Sequence, residues 1–486
     1  MDAALETNPQ EQNPYLDGES FAPLHDEAVF DGAALRVEGV IPTDFGGIYF
    51  RNGPNAFHRP EGRYHWFDGD GMLHAIRFEA GRASYRNRWI NTTALQEEKG
   101  AGKPIWRGIR ERANRERREQ PFKDTSNTDV KFHNGSLIST WYLCGVPYRI
   151  DPLTLETIGP DTFGGKLKTK VSAHLKVDER SGELMFFDYG IKQPYLTYGV
   201  VGADGVLKHH VPIDLPGPRL PHDMAITEHY SILMDLPVFQ DMDAARAGRW
   251  KTDWHADIPA RFGILPRYGD TGEVQWFEAE SCYIYHSTNA WEEGSGADKC
   301  IVMEAFKFER PFTDYADGAT EFDRMMHNHR FNSHLQRYRF HLASGTTTEE
   351  PVTRDIGEFG MINTRCIGRP TRYVYGNGFD YDEMPIRFRS LMKWDTSART
   401  VERFEFGAEM NGSEPQFCAR DHANPEQQAE DDGYVVTFLH NARTHQGECW
   451  LFDARNIGAG PVAKIHIPQR LPAGFHGIWV PQACLS

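Results

Sequence analysis

From about residue 35 onward the chain reads as short apolar or aromatic runs divided by Gly, Pro, Asn and Asp. Clear examples are residues 47–50, 73–78, 183–189, 230–234, 373–376, 433–439 and 448–452. Many short strands with turn residues between them predict an all-β architecture: sandwich, barrel or propeller. No strict internal repeat is visible, which argues mildly against the regularly repeating propeller types. One substantial helix is predicted at 105–122, where Arg110, Arg112, Arg115, Arg117 and Arg118 interleave with Glu111, Glu116 and Glu119. That pattern suits a solvated helix laced with i,i+4 ion pairs; a lid or membrane-facing helix is the second reading. No Pro/Ser-rich linker follows the first twenty residues. The chain is therefore divided into a flexible N-terminal arm, 1–26, and a single domain, 27–486.

Composition narrows the function classes. Aromatic residues make up 12% of the 486 positions, enough for a large buried core. A formal charge of −16 repels phosphate backbones and anionic lipid heads, so nucleic acid is excluded as a partner. Seven scattered cysteines with no CxxC pair fit neither a disulfide framework nor a thiolate zinc site, and point to reduced thiols in a cytoplasmic protein. Residues 1–17 lack the basic and apolar regions of a secretory signal, and no apolar run approaches the roughly 18–20 residues that span a bilayer. A shallow membrane contact stays compatible with this.

The candidate chemistry lies among 21 histidines. There is no HExxH, no Cys/His cluster and no EF-hand loop. His255 and Asp257 form an HxD pair of the kind that opens a 2-His-1-carboxylate iron site, but three letters are weak evidence. Four others, His174, His222, His286 and His476, each stand alone beside small or apolar residues at the edge of a strand-like run. Singly each reads as a structural histidine. Spread over separate parts of a large β fold, the four are better explained as a set, each sent by a different element to one metal.

The segments around these histidines resemble the carotenoid cleavage oxygenase family. So do Tyr-Phe-Arg-Asn-Gly-Pro-Asn at 49–55, His-Trp-Phe-Asp-Gly-Asp-Gly-Met at 65–72, the 148–157 block with its Asp-Pro-Leu-Thr, Glu-Pro-Gln-Phe at 414–417 and Glu-Asp-Asp-Gly-Tyr at 430–434, all in family order. The resemblance implies a seven-bladed β-propeller capped by a dome of loops and helices, with one Fe(II) per chain held by His174, His222, His286 and His476. Dioxygen would be co-substrate for cleavage of a C=C bond in a small apolar alkene, a carotenoid or apocarotenoid. Four neutral ligands leave the metal charge uncompensated, so carboxylates accepting the other ring N–H matter. By resemblance Glu358 and Glu414 take that role toward His286 and His476. The third family carboxylate aligns with Leu143, which accepts no hydrogen bond.

Stilbene- or phenylpropenoid-cleaving dioxygenases of the same family are the alternative. They carry a Lys just before the third Glu and a Tyr on a separate loop, together binding a phenolic oxygen. Here those positions read Tyr142 and Ile109. With Phe67 and Leu143 they are the expected substrate-pocket residues, and their chemistry favours a polyene over a phenol. A retinoid-type isomerase and a non-catalytic propeller scaffold are the more distant readings.

Overall fold

The computed structural model describes residues 13–60, 62–111, 116–117, 120–246, 251–311, 331–381, 383, 385–420 and 428–485. Seven antiparallel sheets stand around one axis as the blades of a propeller, and a two-stranded hairpin, Val238–Gln240 with Thr252–Trp254, lies apart from them. The strands nearest the axis are, in blade order, Gly477–Pro481, Asp129–His133, Lys176–Val177, Ala225–Ile226, Tyr283–Glu293, Gly357–Met361 and Gln416–Ala419. The ring closes by exchange of chain ends. C-terminal Gly477–Pro481 pairs with Gly47–Pro54 in the first blade, and N-terminal Arg36–Gly39 pairs with Pro461–Ile467 in the seventh. Closure of this kind leaves only short outer edges.

The second strand of each blade is covered on both faces by neighbouring blades. All nine residues of Cys300–Phe308 are buried, although the run contains Glu304 and Lys307. Both charges are tolerated because they are paired, Glu304 with Arg337 at 2.5 Å and Lys307 with Glu349 at 2.8 Å. Outer strands read differently: Thr346–Pro351 and Thr400–Glu405 alternate between half-buried and exposed positions.

The predicted helix at 105–122 does not form among the described residues there, which run as turns and bends; Arg112, Arg115, Arg118 and Glu119 lie outside the described residues. Its charges find partners beyond the segment instead. Glu111 pairs with Arg63 at 2.9 Å, and Arg117 pairs with Glu97. Pro104 at its start and Gly108 within it favour loop over helix. The helix of this region is Thr93–Ala101. Thr92 caps its first turn by accepting from Leu95 N at 3.1 Å, and Gly102 ends it with a left-handed φ of 67°.

Of the arm expected at 1–26, residues 1–12 lie outside the described residues, and the remainder is packed. A short helix, Pro14–Asp17, begins at Asn13, and Tyr15, Leu16 and Phe21 are buried in the cluster that holds Trp66, Tyr142 and Phe475. Arg470 donates to the carbonyls of Ala22 and Pro23, and Ala473 N to that of Ser20. Apolar burial and these bonds offset the entropy that a free arm would keep.

Candidate metal centre

Each blade approaches the axis at the start of its innermost strand, and the candidate residues sit at those starts. His476 precedes Gly477–Pro481 and His174 lies two residues before Lys176–Val177. His222 lies three residues before Ala225–Ile226. His286 lies within Tyr283–Glu293, at an irregularity between Ile284 and Ser287 that turns its side chain to the axis. Glu358 lies at a similar irregularity in Gly357–Met361, and Glu414 just before Gln416–Ala419.

The four imidazoles converge. Ring centroids lie 4.7 Å apart for His174 and His222, 5.0 Å for His174 and His286, 4.6 Å for His174 and His476, and 4.7 Å for His286 and His476. Ligand atoms of His174, His222 and His286 lie within 4.8 Å of one another. His286 Nδ1 meets Glu358 Oε2 at 2.6 Å, and His476 Nδ1 meets Glu414 Oε1 at 2.9 Å. Each carboxylate is itself held: Glu358 by the backbone N–H of Phe359, Glu414 by Gly477 N at 2.6 Å and Gln416 Nε2 at 3.1 Å. His174 and Phe359 hold left-handed φ values of 66° and 58°. Such strain in a non-glycine residue costs on the order of 1–3 kcal/mol and persists where surroundings impose it.

Burial, reinforced by repulsion among the four rings, pushes His174 and His222 well below the ordinary imidazole range and His286 to about 3. All three are therefore neutral at physiological pH and present lone pairs. Burial also raises Glu358 well above the carboxylate range, opposed by the Phe359 N–H. A dication beside it would pull that proton away. The residues fit a metal: Nε2 of His174 and of His286 are buried with no hydrogen-bond partner, although polar atoms this deep are ordinarily paired. Among the four site histidines, Nδ1 of His222 is likewise buried with no partner. The ring of Tyr142 stands against His222, and the next residue in the chain, Leu143, is half-buried against the apolar cluster.

Aromatic rings cover the histidines. Tyr142 stands 4.5 Å from His222, Tyr285 4.8 Å from His222 and Phe359 4.8 Å from His286, centroid to centroid. Phe67 packs on Tyr142 at 5.5 Å and on Phe475 at 5.0 Å. Ile109 is buried but placed by its backbone, whose N–H donates to Asp68 Oδ1 at 2.8 Å. His255 stacks on Phe239 at 4.5 Å and takes no part in the cluster.

Sequence reasoning missed Asp223, which ties three histidine-bearing segments together. It follows His222, accepts from Ser287 N at 2.7 Å and Ser287 Oγ at 2.8 Å beside His286, and pairs with Lys176 at 2.8 Å beside His174. It also missed Tyr285, Phe359 and Phe475. Each adjoins a candidate axis residue in sequence, which is the signal that would have found them.

A propeller in which four of the seven blades each bring one imidazole to the axis, and two others bring a carboxylate behind them, has the donor set of a metal-binding class of proteins. The family model described as retinal pigment epithelial membrane protein matches residues 21–481. A carotenoid 9,10(9',10')-cleavage dioxygenase of Crocus sativus is 33% identical over 96% of this chain and 89% of its own length. Among solved structures, the lignostilbene dioxygenase of Pseudomonas brassicacearum superposes with a TM-score of 0.84 at 28% identity, covering 97% of this chain and 99% of its own. Cobalt-substituted Synechocystis apocarotenoid oxygenase superposes at 0.81 with 25% identity, covering 96% and 98%. The chain belongs to the carotenoid cleavage oxygenase family.

Proposed function

We propose that this protein is an iron(II)-dependent oxygenase that cleaves a C=C bond of a carotenoid or apocarotenoid with dioxygen, giving aldehyde or ketone products. The observation that carries the reading is the convergence of four buried imidazoles, two with unpartnered Nε2 atoms, beneath a covering of aromatic rings. Imidazole suits ferrous iron, and four nitrogen ligands leave up to two positions of an octahedron open. Iron bound there would supply dioxygen activation next to an electron-rich double bond.

The protein's own contribution is positioning. Glu358 and Glu414 accept the Nδ1–H of His286 and His476, which fixes the tautomer with Nε2 as ligand and returns two negative charges to a doubly charged ion. Asp223 holds three of the histidine-bearing segments in register. Tyr142, Tyr285, Phe359, Phe475 and Phe67 would grip a flat conjugated chain and exclude water from it. No helix among the described residues is long and apolar enough to cross a membrane. All seven cysteines are free, in keeping with a reducing, cytoplasmic setting.

A hydroxystilbene substrate is the second reading, favoured by the close superposition on a lignostilbene dioxygenase. Against it stand Tyr142 and Ile109, neither able to act as a cation toward a phenolate. Lys131 does not fill the gap. Its ammonium is held by Asp129 at 2.7 Å, and it lines an axial cavity that Phe67, Tyr142, Leu143 and Ile109 do not share. Incubating the iron-loaded protein with apocarotenals and hydroxystilbenes, and identifying the aldehydes by mass spectrometry, decides between the two. A strong preference for 4-hydroxystilbene that disappears for its 4-methoxy analogue would overturn the carotenoid reading.

A further inference from the structure

The histidine cluster is flanked on two sides by surroundings of different chemistry. One is the aromatic covering. The other is a cavity of about 400 Å³ whose deep end is formed by His174, His286 and His476. Next to those rings it passes Lys131 and Lys176, paired with Asp129 at 2.7 Å and Asp223 at 2.8 Å. Further out, aliphatic side chains such as Val177, Ile226 and Ile478 form its wall, and its lining ends at five exposed residues, Asn134, Glu179, Ala203, Pro481 and Cys484. Of the rings over the histidines Phe359 lines it too, whereas Phe67, Tyr142, Tyr285 and Phe475 take no part in it.

We propose that this cavity is the route by which dioxygen reaches the metal centre, separate from the aromatic face that receives the alkene. The inference rests on the oxygenase reading above. A polyene drawn through the cavity would strip water from two ion pairs whose carboxylates are almost wholly buried, at a cost of several kcal/mol for each ion displaced from its hydration. An uncharged diatomic molecule passes them without that cost and partitions readily between aliphatic walls. The space suits small molecules: at about 30 Å³ each it holds on the order of ten waters. A separate route also solves an ordering problem. Once an alkene fills the aromatic face, the second reactant must arrive from elsewhere.

Cys484 gives the means to test this, because it is the exposed member of the seven cysteines. Iron-loaded protein, saturated with an apocarotenal and held without oxygen, is labelled at Cys484 with a bulky maleimide. The rate of nitric oxide binding, as a dioxygen surrogate, is then read by stopped-flow absorption. The expected result is at least a tenfold slower association in labelled protein, no change in maleimide-treated Cys484→Ser, and an unaltered KM for the alkene. Ala203→Trp, on an exposed turn at the rim, should slow nitric oxide in the same way without any label. Unchanged nitric oxide rates in fully labelled protein and in Ala203→Trp would overturn the proposal. So would a raised alkene KM with an unchanged nitric oxide rate, which would give the cavity to the alkene. If nitric oxide binding responds to the label but no alkene is cleaved, the oxygenase reading fails and the small-molecule route stands. Alkene cleavage with an unresponsive nitric oxide rate has the opposite meaning.

Discussion

Replacing Leu143 by glutamate should give His222 the acceptor it lacks. A neutral imidazole carries one N–H, and without a metal His222 can keep it on either nitrogen. A metal on Nε2 forces the proton to Nδ1, which is buried and has no partner. A buried donor left unsatisfied costs about 1–3 kcal/mol, which at about 1.4 kcal/mol per factor of ten lowers metal affinity roughly 5- to 150-fold. Leu143 is half-buried, so a carboxylate there keeps part of its hydration while accepting a charge-assisted bond. Leu143→Glu is therefore expected to slow iron loss by roughly 10- to 100-fold, the usual range for a hydrogen-bond partner behind a metal ligand. Leu143→Gln, a neutral acceptor of the same reach, should give a smaller gain. The assay is transfer of iron to a chromogenic chelator in excess, with thermal unfolding confirming that each variant is folded. A folded Leu143→Glu protein that loses iron as fast as the parent, or faster, would refute the reasoning about His222.

Other perturbations have equally definite outcomes. His174→Ala, His222→Ala, His286→Ala and His476→Ala should each abolish stoichiometric iron, read by elemental analysis of folded protein. Glu358→Gln and Glu414→Gln keep the shape but remove a charge and should weaken iron retention or activity by roughly 10- to 100-fold each. Asp223→Asn leaves Lys176 without its counter-charge and weakens the bonds to Ser287; breaking a buried pair in this way costs about 3–5 kcal/mol, to be lowered here because Lys176 is one-fifth exposed, and urea unfolding should report it.

Much of the strand content was legible because turn residues bound each run: residues 47–50 and 73–78 fall within Gly47–Pro54 and Gly71–Glu79. The propeller itself came from family resemblance, since its blades share no sequence repeat. The helix at 105–122 was misjudged because its charges mimic i,i+4 pairing, whereas the true partners Arg63 and Glu97 lie outside the segment. Signals for the real helix were present in Thr92 and Gly102. The four histidines were legible as a set and not by spacing, because four different blades contribute one each. Asp223 was illegible for a related reason: its partners Lys176 and Ser287 lie 47 and 64 residues away, and only the closed ring brings them together.

The central claim is that four imidazoles hold one iron on the propeller axis. Anomalous diffraction across the iron absorption edge, from crystals of the iron-loaded protein, tests it most directly. The account predicts a single peak per chain within coordination distance of Nε2 of His174, His222, His286 and His476. A peak elsewhere, or one that leaves any of these four histidines uncoordinated, would contradict it.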